Sequence, residues 1–221
     1  MLRGLGLLLI SSVLTAPAGS AQSRVLGAVE RAAAAHGAET LLEAVAAARL
    51  TLHANLAGIV LLRLDPDAPM ALQIDVRAML RGGDTSMNVR LADHDLVFVP
   101  SGAGGDPIGE ALEAAARSSR VPRDAWLCLR AQHAGSGEVR ARAVRELCDL
   151  RTIGAGVVPI LRTLLADPEP AVIREAVTAL GTLGPRARAA AGELRELCDH
   201  GDAQIRLRAQ AALDRVSDAE P

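Results

Sequence analysis

Across 221 residues the chain carries 24 basic side chains, every one an arginine, against 26 acidic ones, for a formal net charge of -2. That balance argues against a nucleic-acid binder, whose affinity rests on a surplus of positive charge gathered on one face. Half the residues are apolar, yet the aromatic ones are one Trp and one Phe, so the core must be assembled from Leu, Val, Ile and Ala.

Residues 1–21 have the three parts of a secretory signal: Arg3 near the start, an apolar run from Leu5 to Leu14, and small residues at Ala16, Ala18, Gly19, Ser20 and Ala21. A run that short falls below the roughly 20 residues needed to span a bilayer, which predicts cleavage and no stable membrane anchor afterwards. No Cys stands near the cleavage region to carry a lipid. The expected product is periplasmic or secreted.

Residues 22–101 alternate short apolar runs with turn residues and predict a small α/β unit. A strand is expected over Val25 to Val29. Thr40-Leu41-Leu42-Glu43 fits a capping box, so a helix is expected from Leu41 to about Arg49. Ile59-Val60-Leu61-Leu62-Arg63-Leu64 reads as a buried strand, with Asp65-Pro66-Asp67-Ala68-Pro69 as the turn after it. The alternation of Leu72, Ile74 and Val76 predicts a strand running into a helical turn near Met79-Leu80, broken by Gly82-Gly83-Asp84. Leu96 to Val99 is the closing strand. Residues 102–123 form a Gly-rich linker and a polar-faced helix from Ile108 to Ser118.

From residue 124 to 218 the sequence repeats. An offset of 33 residues brings Val139, Val172 and Ile205 into one column, Ala143, Ala176 and Ala209 into the next, then Leu147, Leu180 and Leu213, then Leu150, Leu183 and Val216. Within each copy those positions run i, i+4, i+8 and i+11, one apolar stripe on a helix. Between them Val158, Leu161, Leu164 and Leu165 align with Ala191, Leu194, Leu197 and Cys198, a second helix per unit. Asp167-Pro168-Glu169-Pro170 and His200-Gly201-Asp202 lead into helices, while Gly181 and Gly184-Pro185 are expected to end one. One such hairpin cannot bury its stripe alone, so stacking is required.

Catalytic chemistry leaves no mark of this kind. The five His, at 36, 53, 94, 133 and 200, form no zinc-binding pair on one helix face, and neither a nucleophile elbow nor a phosphate-binding loop is present. Asp93-His94-Asp95 is the densest polar triplet and is expected to be a solvated turn before the last strand. Cys128, Cys148 and Cys198 fall at apolar helix positions and read as small hydrophobes, with a Cys148–Cys198 disulfide the one pairing left open in an oxidising compartment. The expectation is a non-enzymatic protein with no catalytic residue, metal or cofactor.

Asp167-Pro168-Glu169-Pro170-Ala171-Val172-Ile173-Arg174-Glu175-Ala176-Val177-Thr178-Ala179-Leu180-Gly181 resembles the short HEAT repeat of the phycobilisome-lyase type, with Ile173 inserted before the arginine. Val139-Arg140 and Ile205-Arg206 keep the apolar-Arg pair in the flanking copies. The resemblance implies a solenoid whose second helices line its concave side. Arg140, Arg142, Arg145, Arg174, Arg206 and Arg208 lie on or beside those helices, as candidate contacts to an anionic partner or as a structural ladder between repeats. It also implies a protein partner for the stack.

The earlier half resembles the soluble-ligand-binding β-grasp (SLBB) domain of polysaccharide export proteins. The likeness rests on Thr40 to Ala44, Ile59 to Arg63, Ile74 to Asp84, and Leu91 to Pro100, where His94 takes the place of the usual Gly. What it implies is α+β: a small β-grasp-like domain followed by an all-α HEAT-like solenoid, acting as an exported binding or scaffold protein beside polysaccharide export or on an extracellular glycan. The alternative is an accessory or lyase-type protein of the phycobilisome-lyase class.

Overall fold

The computed structural model describes residues 24–27, 29, 33–34, 40–93, 95–102, 105–117, 121–150 and 156–217. The expected signal segment, residues 1–21, lies outside the described residues, as does His94. The architecture is α+β, a β-grasp-like sheet followed by a HEAT-like helical stack.

Five strands, β1 (Arg24–Gly27), β2 (Ala33–Ala34), β3 (Ile59–Arg63), β4 (Met70–Ile74) and β5 (Asp95–Val99), form one mixed sheet in the order β2-β1-β5-β3-β4. β1 runs parallel to β5, pairing Val25 with Val97, and β3 is antiparallel to both its neighbours. Helix α1 (Leu41–Ala47) begins at the expected capping box: the Thr40 hydroxyl accepts from Glu43 N, and Glu43 Oε2 accepts from Thr40 N at 3.2 Å. Helix α2 (Val76–Gly82) starts where the alternation pointed to a continuing strand. Asp75 causes the switch, because its carboxylate accepts from Ala78 N at 2.8 Å and caps a helix at Val76.

An uninterrupted apolar run such as Ile59–Leu62 needs cover on both faces of the sheet. On one face Ile59 and Leu61 join Val25, Ile74, Val97 and Val99 beneath Leu41, Ala44 and Val45 of α1 and Met79 of α2. On the other, Val60, Leu62, Leu96 and Phe98 lie beneath helix α3 (Pro107–Ala116), through Ala111, Leu112 and Ala115. Ala125 and Leu129 of helix α4 (Arg123–His133) complete that second layer. The helix beside the Gly-rich linker is therefore the sheet's second cover. It starts at Pro107 because the Asp106 carboxylate accepts from Gly109 N at 3.0 Å.

The stack is three helical hairpins among the described residues: α4 with α5 (Gly137–Cys148), α6 (Val157–Leu164) with α7 (Pro170–Leu183), and α8 (Ala191–Leu197) with α9 (Ala203–Ser217). A 3-10 helix, Gly184–Ala190, leads into α8. The second helices α5, α7 and α9 form one layer, and Ala143, Ala176 and Ala209 are all buried within it. Gly181 does not end α7, which continues to Leu183. A Cβ at Gly181 would lie 3.0 Å from Ala212 Cβ, so that glycine serves the close approach of α7 to α9. The stop comes at Gly184, with φ +55. The stack also touches the sheet half at Gly156, where a Cβ would sit 2.6 Å from the Asp67 carbonyl oxygen.

Candidate functional site

The six arginines separate into two sets. Arg140, Arg174 and Arg206 lie near the starts of α5, α7 and α9 and tie loops together. Arg140 forms a two-pronged bond to Asp167, both arms 2.8 Å, and also donates to the Ala134 carbonyl at 2.8 Å and that of Gly135. Asp167 belongs to the loop before α7, so this bridge joins the first hairpin to the second. Asp167 also accepts from Glu169 N at 2.8 Å. Burial pushes its carboxyl up, but the Arg140 bond, the Glu169 amide and the Arg140 charge outweigh that and hold it below the usual range.

Arg174 repeats the bridge one unit on, donating to Asp202 at 3.0 Å in the loop before α9. Ile173 occupies the register position that Arg140 and Arg206 hold, and its side chain is buried. Arg174, one residue later, reaches its aspartate from a more exposed position: the two side chains are 31% and 29% exposed, against 11% and 7% for Arg140 and Asp167. Asp202 accepts from Gln204 N at 2.7 Å, and that bond contributes most to holding its carboxyl low. Arg206 turns back to the His200 and Gly201 carbonyls, at 2.7 and 2.9 Å, the positions that Ala134 and Gly135 occupy for Arg140.

Arg142, Arg145 and Arg208 form the second set, on the solvent side of the α5/α7/α9 layer. Arg142 pairs with Glu146 one turn on, at 2.9 Å. Arg145 reaches Glu175 of α7 at 2.9 Å, and Arg208 of α9 donates to the Thr178 hydroxyl at 3.0 Å. This face presents guanidinium, carboxylate and hydroxyl groups in a row across three helices. On the first helices, Arg162 of α6 bridges to Glu193 of α8. What the sequence grouped as one surface thus separates into two inter-repeat bridges at Arg140 and Arg174, a loop closure at Arg206, and an outward row.

Asp95 is not part of a solvated turn. Its side chain is fully buried and takes a two-pronged bond from Arg63, at 3.0 and 2.8 Å, plus a bond from Ala92 N at 2.8 Å. Arg63 also donates to the Arg90 carbonyl at 3.0 Å. The pair locks the β3–β5 register, in which Arg63 stands opposite Asp95. The signal available in the sequence was a lone Arg ending an apolar strand.

Among the described residues no group of His, Cys, Asp and Glu is placed to hold a metal ion, and no helix is long and apolar enough to cross a membrane. The three cysteines are free. Burial pushes the Cys128 thiol up to about 12 and that of Cys148 up to about 11, so both are protonated near neutral pH and poor nucleophiles.

A search of curated proteins finds no match to the chain. Residues 125–214, from the start of α4 into α9, match the HEAT repeats family, the same span in which the hairpins and their arginine bridges recur.

Proposed function

We propose that this chain is an exported, non-enzymatic scaffold that holds a protein partner on the outward row of its α5/α7/α9 layer. The observation that carries the reading is the stack: hairpins matching HEAT repeats, a fold that generally mediates protein association, joined by side-chain bridges from each unit to the next. Bridges of that kind hold the row in place before a partner arrives, which lowers the ordering cost of binding. Arg145, Thr178 and Arg208 are its central groups.

A photo-crosslinking side chain at Thr178, with a second variant carrying it at exposed Glu196 on α8, tests this in cells. Adducts to one discrete protein from position 178 and not from 196 are expected, and their loss when Arg145→Glu and Arg208→Glu are added. Adducts from 196 alone, or none from 178, overturn the reading.

The finer proposal is a place beside polysaccharide export or on an extracellular glycan. It is supported by the SLBB-like residues and by the β-grasp strand order, and export is supported by the signal-like start. Mass spectrometry of the native protein should find a mature N-terminus between Gly19 and Gln22. An intact Met1 in the exported fraction would sink that part.

A further inference from the structure

Where α3 ends against the first hairpin, the surface opens into a cleft of about 470 Å³, within the roughly 300–1,000 Å³ of small-ligand sites. Arg123, Trp126 and Arg130 of α4 line it, at i, i+3 and i+7, a spacing that puts all three on one side of the helix. Arg142 and Glu146 of α5 line it from the facing helix. Three guanidinium groups therefore meet one carboxylate.

Glu146 is shared between Arg142, at 2.9 Å, and Arg123, at 3.4 Å. Arg130 is held differently. Its guanidinium lies over the Trp126 ring, 4.8 Å from the centroid, and it has no carboxylate partner among the described residues. The ring is itself anchored: Trp126 Nε1 donates to the Leu112 carbonyl at 3.0 Å, and the indole packs against both the sheet core and the stack core. Arg130 is thus held over a hydrogen-bonded, packed aromatic plane while its N–H donors stay available.

We propose that this cleft binds an oxyanion, a carboxylate or phosphate group carried on a small organic molecule, with Arg130 and Arg142 as the donors and Trp126 at the base. Guanidinium forks match the paired oxygens of both groups. The excess of two positive charges over the single Glu146 makes the cleft locally basic on a chain whose net charge is -2. The site shares Arg142 with the edge of the outward row but none of the row's central groups Arg145, Thr178 and Arg208, so it does not depend on a protein partner there.

The chain has one Trp and no Tyr, so its indole fluorescence reports from this cleft alone. The test titrates the full chain with galacturonate, glucose 1-phosphate and neutral glucose at low ionic strength. A saturable change with one or both anions and none with glucose is expected, and the arm that saturates identifies the carboxylate or the phosphate source. Arg130→Gln and Arg142→Gln should each weaken binding about tenfold, the loss of one charged hydrogen bond, whereas Arg145→Gln should not. Arg142 is largely exposed, so its variant keeps the fold even where the Arg130 variant does not. No saturation with either anion, equal response to glucose, or unchanged affinity in Arg142→Gln overturns the proposal.

Discussion

Both halves of the molecule use an arginine–aspartate bridge, to different ends. In the sheet half Arg63 and Asp95 form one buried pair set into a single two-sided core, and the pair fixes a strand register. In the stack the bridge recurs, Arg140 to Asp167 and then Arg174 to Asp202, each joining one hairpin to the next. A solitary pair inside a shared core fails as a whole, whereas a pair between neighbouring repeats costs roughly its own interface. Substitutions in the two halves should therefore differ in size and in how far their effects spread.

The sharpest break is Asp95→Ala, which strands the Arg63 guanidinium and leaves Ala92 N without its acceptor. Broken buried pairs cost about 3–5 kcal/mol, and Arg63 is partly solvated, so a loss near the low end, about 3 kcal/mol, is expected by urea denaturation. A loss below about 1 kcal/mol would show that the sheet half does not depend on its pair.

Ala176→Leu comes next, at about 1–3 kcal/mol, because Ala176 is fully buried in the α5/α7/α9 layer and a larger side chain must displace a neighbour. Thr178→Leu, two residues on and exposed, should stay within about 0.5 kcal/mol in the same measurement. Equal effects at the two positions would mean the helical register of the repeat is misassigned.

Arg140→Gln should cost about 1.5 kcal/mol at neutral pH, one charged hydrogen-bonded pair at a nearly buried site. Arg174→Gln, at the more exposed copy, should cost less. The loss at Arg140 should also depend on pH. Asp167 titrates below its usual range when folded, so its stabilisation is complete above that range and disappears as pH falls through the folded value. The difference between Arg140→Gln and the parent should then shrink on going from pH 7 to about pH 3. A constant difference would mean that Arg140 contributes through its carbonyl bonds and not through Asp167.

The repeat was legible because period and helical spacing reinforce each other: the Ala143, Ala176 and Ala209 column is buried as the stripe requires. The capping box at Thr40 and Glu43 was equally local, and formed as expected. Less legible was whatever depended on distant chain. Asp95 read as turn chemistry since its partner Arg63 lies 32 residues earlier. Gly181 read as a stop because the helix it admits, α9, comes a whole unit later. The six arginines shared a sequence pattern, yet their partners do not: Arg140, Arg145 and Arg174 meet acids of the next hairpin, Arg142 a glutamate of its own helix, Arg206 carbonyls of its own loop and Arg208 a hydroxyl of the hairpin before.

The cover that α3 and α4 give the sheet has a consequence in time. The chain is made from its N-terminus, so the last sheet strand, ending at Val99, precedes the helices that close the face of Val60, Leu62, Leu96 and Phe98. At roughly 5–20 residues per second, that face stays bare for a few seconds of synthesis before α4 is complete. Any transport step that handles the chain unfolded meets the same order again at its far side. A truncation at residue 101 would make the interval permanent, and the shortest piece that carries the whole cover of that face runs through His133.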